Sequence, residues 1–118
     1  MNHTELKKII FDSFSTVPDF PWTKYPNYEV YRHADNKKWF VLIADVPKNK
    51  IGLQGTDKIY IANFKCDPIM IGSLLSETGV FPAYHMNKSN WISVALDGSV
   101  SDDLIIMLLN MSHNMTSK

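Results

Sequence analysis

The amino-acid sequence predicts an α+β domain with two layers, three helices packed on an antiparallel sheet of about five strands, in the order α-β-β-β-α-β-β-α. Three observations carry this reading. Apolar residues recur at helical spacing near both ends of the chain and fall in strand-length blocks between them. Turn-forming residues separate those blocks. An Asp-Pro step interrupts them with a helix start.

Residues 4–15 place Leu6, Ile9, Ile10 and Phe14 on one helical face, with Thr4 as the expected N-cap. Residues 17–26 hold Pro18, Pro21 and Pro26, which forbid a continued helix, and are expected to run as an extended connection. Two strands follow, 28–33 and 37–46, joined by a tight turn at Ala34-Asp35-Asn36. The second is apolar on both sides: Trp39, Val41 and Ile43 alternate with Phe40, Leu42 and Ala44, as in a strand inside a sheet. Residues 47–56 read as loop, with Ile51-Gly52-Leu53 as a candidate strand extension, and 59–64 as the next strand.

Asp67 is the N-cap and Pro68 the first residue of a second helix, which continues through Met70, Ile71, Leu74 and Leu75. Gly79 stands where its C-terminal cap is expected. Residues 80–86 and 91–96 predict a second hairpin across Asn87-Lys88-Ser89-Asn90. In its second strand Ile92, Val94 and Leu96 face one way, and Trp91, Ser93 and Ala95 the other. After a turn at Asp97-Gly98, Ser101 caps a final helix whose Asp102 and Asp103 suit the positive end of its dipole.

The 118 residues suit one domain, 1–118, able to bury roughly two-thirds of its unfolded surface without cross-links. A monomer is the expected state. The one cysteine, Cys66, excludes an internal disulfide framework and suits a reducing compartment. The polar N-terminus lacks the apolar stretch of a signal peptide, and the strongest apolar run, 104–109, is far short of the roughly 20 residues of a membrane span. A cytoplasmic protein without membrane contact is the expectation.

Formal net charge is zero, which argues against strong non-specific polyanion binding. The charge is nevertheless uneven, because residues 24–65 hold eight basic against four acidic side chains. Catalytic signatures are absent from the sequence. His3, His33, His85, His113 and Cys66 show no paired metal-ligand spacing, and there is no nucleophile elbow, P-loop or dinucleotide fingerprint. Neither enzymatic activity, nor a metal, nor a cofactor is expected.

Two stretches go beyond generic patterning. One is Ile61-Ala62-Asn63-Phe64-Lys65-Cys66-Asp67-Pro68; the other runs from Tyr84-His85-Met86-Asn87-Lys88 through Trp91 to Leu96-Asp97-Gly98-Ser99. With Lys38-Trp39-Phe40, they resemble the MmcQ/YjbR family in order over residues 4–113. Asn90 departs from the family's usual His before the Trp, and Ser112-His113 from its usual Ser-Tyr. The resemblance implies a fold of the kind shared with frataxin-like proteins and secretion chaperones. It also implies a "double-wing" contact with DNA through projecting hairpins.

On that reading the wings are the turns 35–38 and 87–90. Lys37, Lys38 and Lys88 would neutralise phosphates, Asn87 would bond backbone or base edges, and Arg32 and His85 would flank them, with His33 nearby. Binding would be weak and salt-dependent, and the three lysines would share one surface. Asn and Lys are also common in hairpin turns for purely structural reasons. Trp39 and Trp91 begin apolar strands and are expected half-buried, though each could stack on an unpaired base. The alternative function is a chaperone-like protein-interaction module using the sheet face or a groove. A third reading makes Cys66, beside Lys65 and before a helix, a redox-responsive thiol of lowered pKa.

Overall fold

The computed structural model describes residues 1–117. Its three α-helices are α1 (His3–Phe14), α2 (Pro68–Leu74) and α3 (Asp102–Thr116). The strands are β1 (Glu29–Arg32), β2 (Trp39–Pro47), β3 (Lys58–Lys65), β4 (Val80–Pro82) and β5 (Trp91–Ala95). They form a five-stranded sheet in the order β1-β2-β3-β5-β4, with every neighbouring pair antiparallel. The α+β architecture and element order are those predicted. Among the described residues no helix is long and apolar enough to cross a membrane.

All three helices lie on one side of the sheet. Leu6 and Ile10 of α1, Leu74 of α2, and Ile105, Leu108 and Leu109 of α3 pack with Phe40, Ile43, Phe64, Ile92 and Val94. Each such side chain contributes about 1.5–3 kcal/mol by leaving water, so this layer carries most of the stability. A buried carboxylate fixes the sheet edge to α1. Glu29 is 3.0 Å from Lys7 Nζ, and the Tyr31 hydroxyl donates to it at 3.2 Å.

Several boundaries differ from the sequence reading, each for a local reason. The N-cap of α1 is Asn2, not Thr4: Asn2 Oδ1 accepts the Glu5 N–H and Glu5 Oε1 accepts the Asn2 N–H, both at 2.9 Å. That reciprocal box satisfies two free donors, where Thr4 would satisfy one. Residues 48–51 form a single 3-10 turn (Lys48–Ile51) rather than a strand extension. Gly79 does not cap α2, which closes at Leu75; its positive φ of 84° instead serves the turn into β4.

Two differences bear on function. β4 stops at Pro82, which has no N–H for a further ladder bond, so residues 83–90 are a connection rather than the arm of a hairpin. At the start of β2 the register with β1 shifts between Tyr31 and Arg32. Phe40 and Val41 both join the helix-side core, and Trp39 falls on the side of Leu42 rather than of Val41. Ser112 of α3 bridges β2 and β3 just beyond their first paired residues, Val41 and Phe64. Its hydroxyl donates to the Phe40 carbonyl at 2.6 Å and accepts the Lys65 N–H at 2.8 Å.

Candidate functional site

Among the described residues, no α-helix lies over the other face of the sheet. Its buried row, which includes Tyr28, Val30, Leu42, Ala44, Val46 and Ile61, is shielded by partly buried Trp22, Trp39, Ile51, Leu53, Tyr84 and Met86. Two irregular segments supply much of this cover. The first is the proline-rich stretch before β1, anchored by a bridge in which Asp19 and Val30 exchange hydrogen bonds of 2.8 and 2.9 Å. From it Trp22 meets Trp39 edge-on at 5.6 Å and Tyr28 at 5.9 Å, while Tyr25 stacks on Tyr28 at 4.7 Å.

The second segment is 83–90, which folds back over the sheet. Asn63 Nδ2 donates to the Tyr84 carbonyl at 2.8 Å, and the Tyr84 N–H donates to Ser93 Oγ at 2.9 Å. Ser93 Oγ in turn donates to Asn63 Oδ1. His85, at φ 60°, follows this tie. Between the two segments lies an open pocket of about 280 Å³ lined by Trp22, Tyr25, Tyr28, Trp39, Leu42, His85 and Met86. Burial, with smaller effects from Tyr84, Tyr25 and Asp45, pushes the Tyr28 phenol up to about 12, so its hydroxyl keeps its proton at neutral pH.

The pocket opens onto a basic groove. Tyr25 and Tyr28 also line an adjoining cleft that holds Lys24, Lys50 and Lys58, and that cleft shares Lys50 and Tyr84 with a third that holds Lys88. Among the described residues the acid lining these clefts is Asp45, in the first of them, 3.7 Å from Lys58 Nζ and accepting from Asn27 Nδ2 at 3.1 Å.

The six predicted site residues do not form one strip. Lys37, at φ 63°, lines a separate cleft with Phe14, Ser15 and His113 towards the helix layer, whereas Lys88 sits with Lys50 and Ile51. Lys38 closes its turn through the main chain, taking the Asn36 side-chain oxygen at its N–H and the His33 N–H at its carbonyl. Arg32 is ion-paired with Asp19 at 2.8 Å and lies 5.3 Å from the Trp39 ring centre. Asn87 uses its side-chain oxygen on the Ser89 N–H. Only His85 lines the pocket itself.

A family model described as YjbR matches residues 14–115. The chain belongs to the YjbR family. It is 38% identical to the uncharacterized protein YyaQ of Bacillus subtilis over 116 residues, covering 98% of each chain. A Pseudomonas syringae protein solved by crystallography is 40% identical, with a TM-score of 0.96 over 98% of this chain and 99% of that one. Its solution NMR structure gives 0.88, covering 98% and 93%. A Deinococcus radiodurans protein, DR2400, shares the fold at 21% identity, with a TM-score of 0.76 over 99% of this chain and 79% of that one.

Departures from the YjbR pattern have visible structural settings. Asn90 accepts the Cys66 N–H at its main-chain oxygen, and its side-chain Oδ1 is buried without a partner. His113 stacks on Phe14 at 3.8 Å and lies 4.3 Å from the His33 ring. Trp39 and Trp91 are half-buried at strand starts, as expected. The redox reading of Cys66 is overturned: the thiol is fully buried, and burial, with Asp67 second, pushes its pKa up, not down. Among the described residues no three His, Cys, Asp or Glu come together as a metal would need.

The residues the sequence reading missed are Trp22, Tyr25, Tyr28 and Met86. Their signal was present in part, since Phe20, Trp22, Tyr25 and Tyr28 put four aromatics into nine residues of this YjbR protein that were read as connection and strand start. A connection needs no such density of large apolar rings, so its cost in exposed surface marks a segment that covers something.

Proposed function

We propose that this YjbR protein is a non-enzymatic nucleic-acid binder that holds the phosphate backbone along the helix-free face, not at projecting hairpin tips. The observation that carries the reading is the groove itself: Lys24, Lys50, Lys58 and Lys88 line two joined clefts whose lining acid, Asp45, already faces Lys58. Lysines so placed act as point charges on successive phosphates, and aromatic rings beside them give the bases a surface. Neutral total charge does not conflict with this. On α1 the acids Glu5 and Asp12 are offset by Lys7 and Lys8, but α3 carries Asp102 and Asp103 without a Lys or Arg, so the acidic excess of the opposite layer lies at the start of α3.

Fluorescence anisotropy with labelled oligonucleotides at about 50 and 200 mM salt tests the reading. Each phosphate contact adds about 0.7–0.9 to the slope of log K against log salt, so a four-lysine groove gives a slope near −3. A Lys50→Glu/Lys88→Glu variant is expected to lose most binding and about two units of slope. A Lys37→Glu/Lys38→Glu variant is expected to retain both. Equal loss in the two variants would return the contact to the hairpin turns, and no binding at low salt would end the nucleic-acid reading. The second reading, a protein-interaction module, is favoured by the same pocket, because Trp22, Trp39 and Met86 also suit an aromatic side chain of a partner.

A further inference from the structure

We infer that the aromatic pocket is a seat for one unstacked base, so that the protein takes single-stranded nucleic acid in preference to duplex. This rests on the groove reading above and names what the groove selects. Three features of the pocket point to a base. Its volume of about 280 Å³ lies near the lower limit of small-ligand sites, enough for one ring system. Four aromatic rings, Trp22, Trp39, Tyr25 and Tyr28, line it together with Leu42 of the sheet. The exposed His85 ring adds polar atoms that can meet the edge of a heterocycle.

Charge then decides among aromatic-seeking ligands. An aromatic cage alone would equally suit a quaternary ammonium group. Here Arg32 already lies over Trp39, and Lys24, Lys50 and Lys58 line the adjoining cleft, so a cation is repelled and an anion next to a flat apolar group is favoured. A nucleotide has both parts, joined at a short distance. A paired base cannot enter, because its ring faces are stacked between neighbours and its edge faces its partner.

The position of the walls agrees with this. The pocket sits between two segments that cross the sheet, so a strand lying along the lysines must turn a base inward to reach Leu42. Duplex still meets the lysines from outside through its phosphates, which separates the two modes experimentally.

The test uses the full chain and four probes of equal length and label: a single-stranded oligonucleotide, its duplex, an abasic oligonucleotide with the same phosphates, and a Trp-containing acidic peptide. The single strand is expected to bind about tenfold tighter than the abasic probe, and tighter than duplex at equal salt. Trp22→Leu and Met86→Ala, at residues that line the pocket but neither lysine cleft, are expected to remove that tenfold advantage and leave abasic and duplex affinity and salt slope unchanged. Circular dichroism and a thermal melt confirm that both variants fold. Equal affinity for single-stranded and abasic probes would overturn the base pocket and leave the groove reading standing. Failure of every oligonucleotide to bind at low salt would overturn both, and binding of the peptide alone would assign the pocket to a protein ligand.

Discussion

Asn63 donates from its side-chain amide to the carbonyl of Tyr84, 2.8 Å away, and so ties an irregular segment to the middle of the sheet. Asn63 is fully buried, and Ser93 Oγ bonds its other side-chain atom. Asn63→Leu leaves the Tyr84 carbonyl without its donor and the Ser93 hydroxyl without its acceptor, although Ser93 Oγ still accepts the Tyr84 N–H; the cost is about 1–3 kcal/mol for each group left unsatisfied. The expected result is a lower urea midpoint together with faster amide exchange through residues 84–89. An unchanged midpoint would mean that the segment is held by its apolar contacts alone.

Ser112→Ala addresses a second side-chain tie to the sheet. Its hydroxyl serves the Phe40 carbonyl and the Lys65 N–H, one residue beyond the Val41–Phe64 pair where the β2–β3 ladder begins. The substitution strips both main-chain groups of their partner inside the core and is expected to cost about 2–4 kcal/mol. Thermal unfolding reads this directly. A loss well under 1 kcal/mol would show that β2 and β3 satisfy these groups between themselves.

A pH dependence follows from His113. Burial lowers its pKa, the neighbouring His33 lowers it further, and Asp35 offsets part of the shift. Folding therefore disfavours the protonated ring, and the unfolded chain binds more protons in the window below about pH 6.5. Stability is complete above that pH and is lost as pH falls through the depressed folded-state value. Urea midpoints at pH 7.5, 6.5 and 5.5 are expected to fall in that order. His113→Phe, which keeps a ring against Phe14, is expected to flatten the lower part of the series. An equally steep series in that variant would place the titration elsewhere.

Cys66 should behave as an inert core residue. Its side chain is buried at the end of β3 and its thiol pKa is raised. Labelling with a thiol reagent at pH 8 is expected to proceed slowly in the native protein and rapidly in denaturant. Cys66→Ser should lower stability by about 1–3 kcal/mol, because a hydroxyl enters an apolar site. Rapid labelling of the folded chain would contradict this assignment.

Much of the scaffold was legible because its signals are local. Asp67-Pro68 opens α2 and Ser101 caps α3 as read, since the Asp67 and Ser101 side chains accept the Ile69 and Leu104 N–H groups. Trp91 to Ala95 alternates between faces as its residues alternate in polarity. The site was harder to see because it depends on chain crossings. No pattern within 83–90 states that Asn63, some 20 residues earlier, will bend it over the sheet. The register shift that brings Trp39 to the pocket side shows only in the pairing of Tyr31 and Arg32 with a different strand. The lysines were visible one by one, but sequence order grouped Lys37 with Lys88, whereas the fold groups Lys50 with Lys88.

The arrangement of the pocket walls has an evolutionary consequence. Helices and strands hold the stable layer, while Trp22, Tyr25, His85 and Met86 sit on two excursions that contribute little to the helix-side core. Substitutions in those excursions change the pocket walls while leaving the helix-side core untouched, much as interchangeable bits fit one drill. A single backbone of this kind can serve different ligands in different organisms, and shared ancestry then transmits the chassis more faithfully than the specificity.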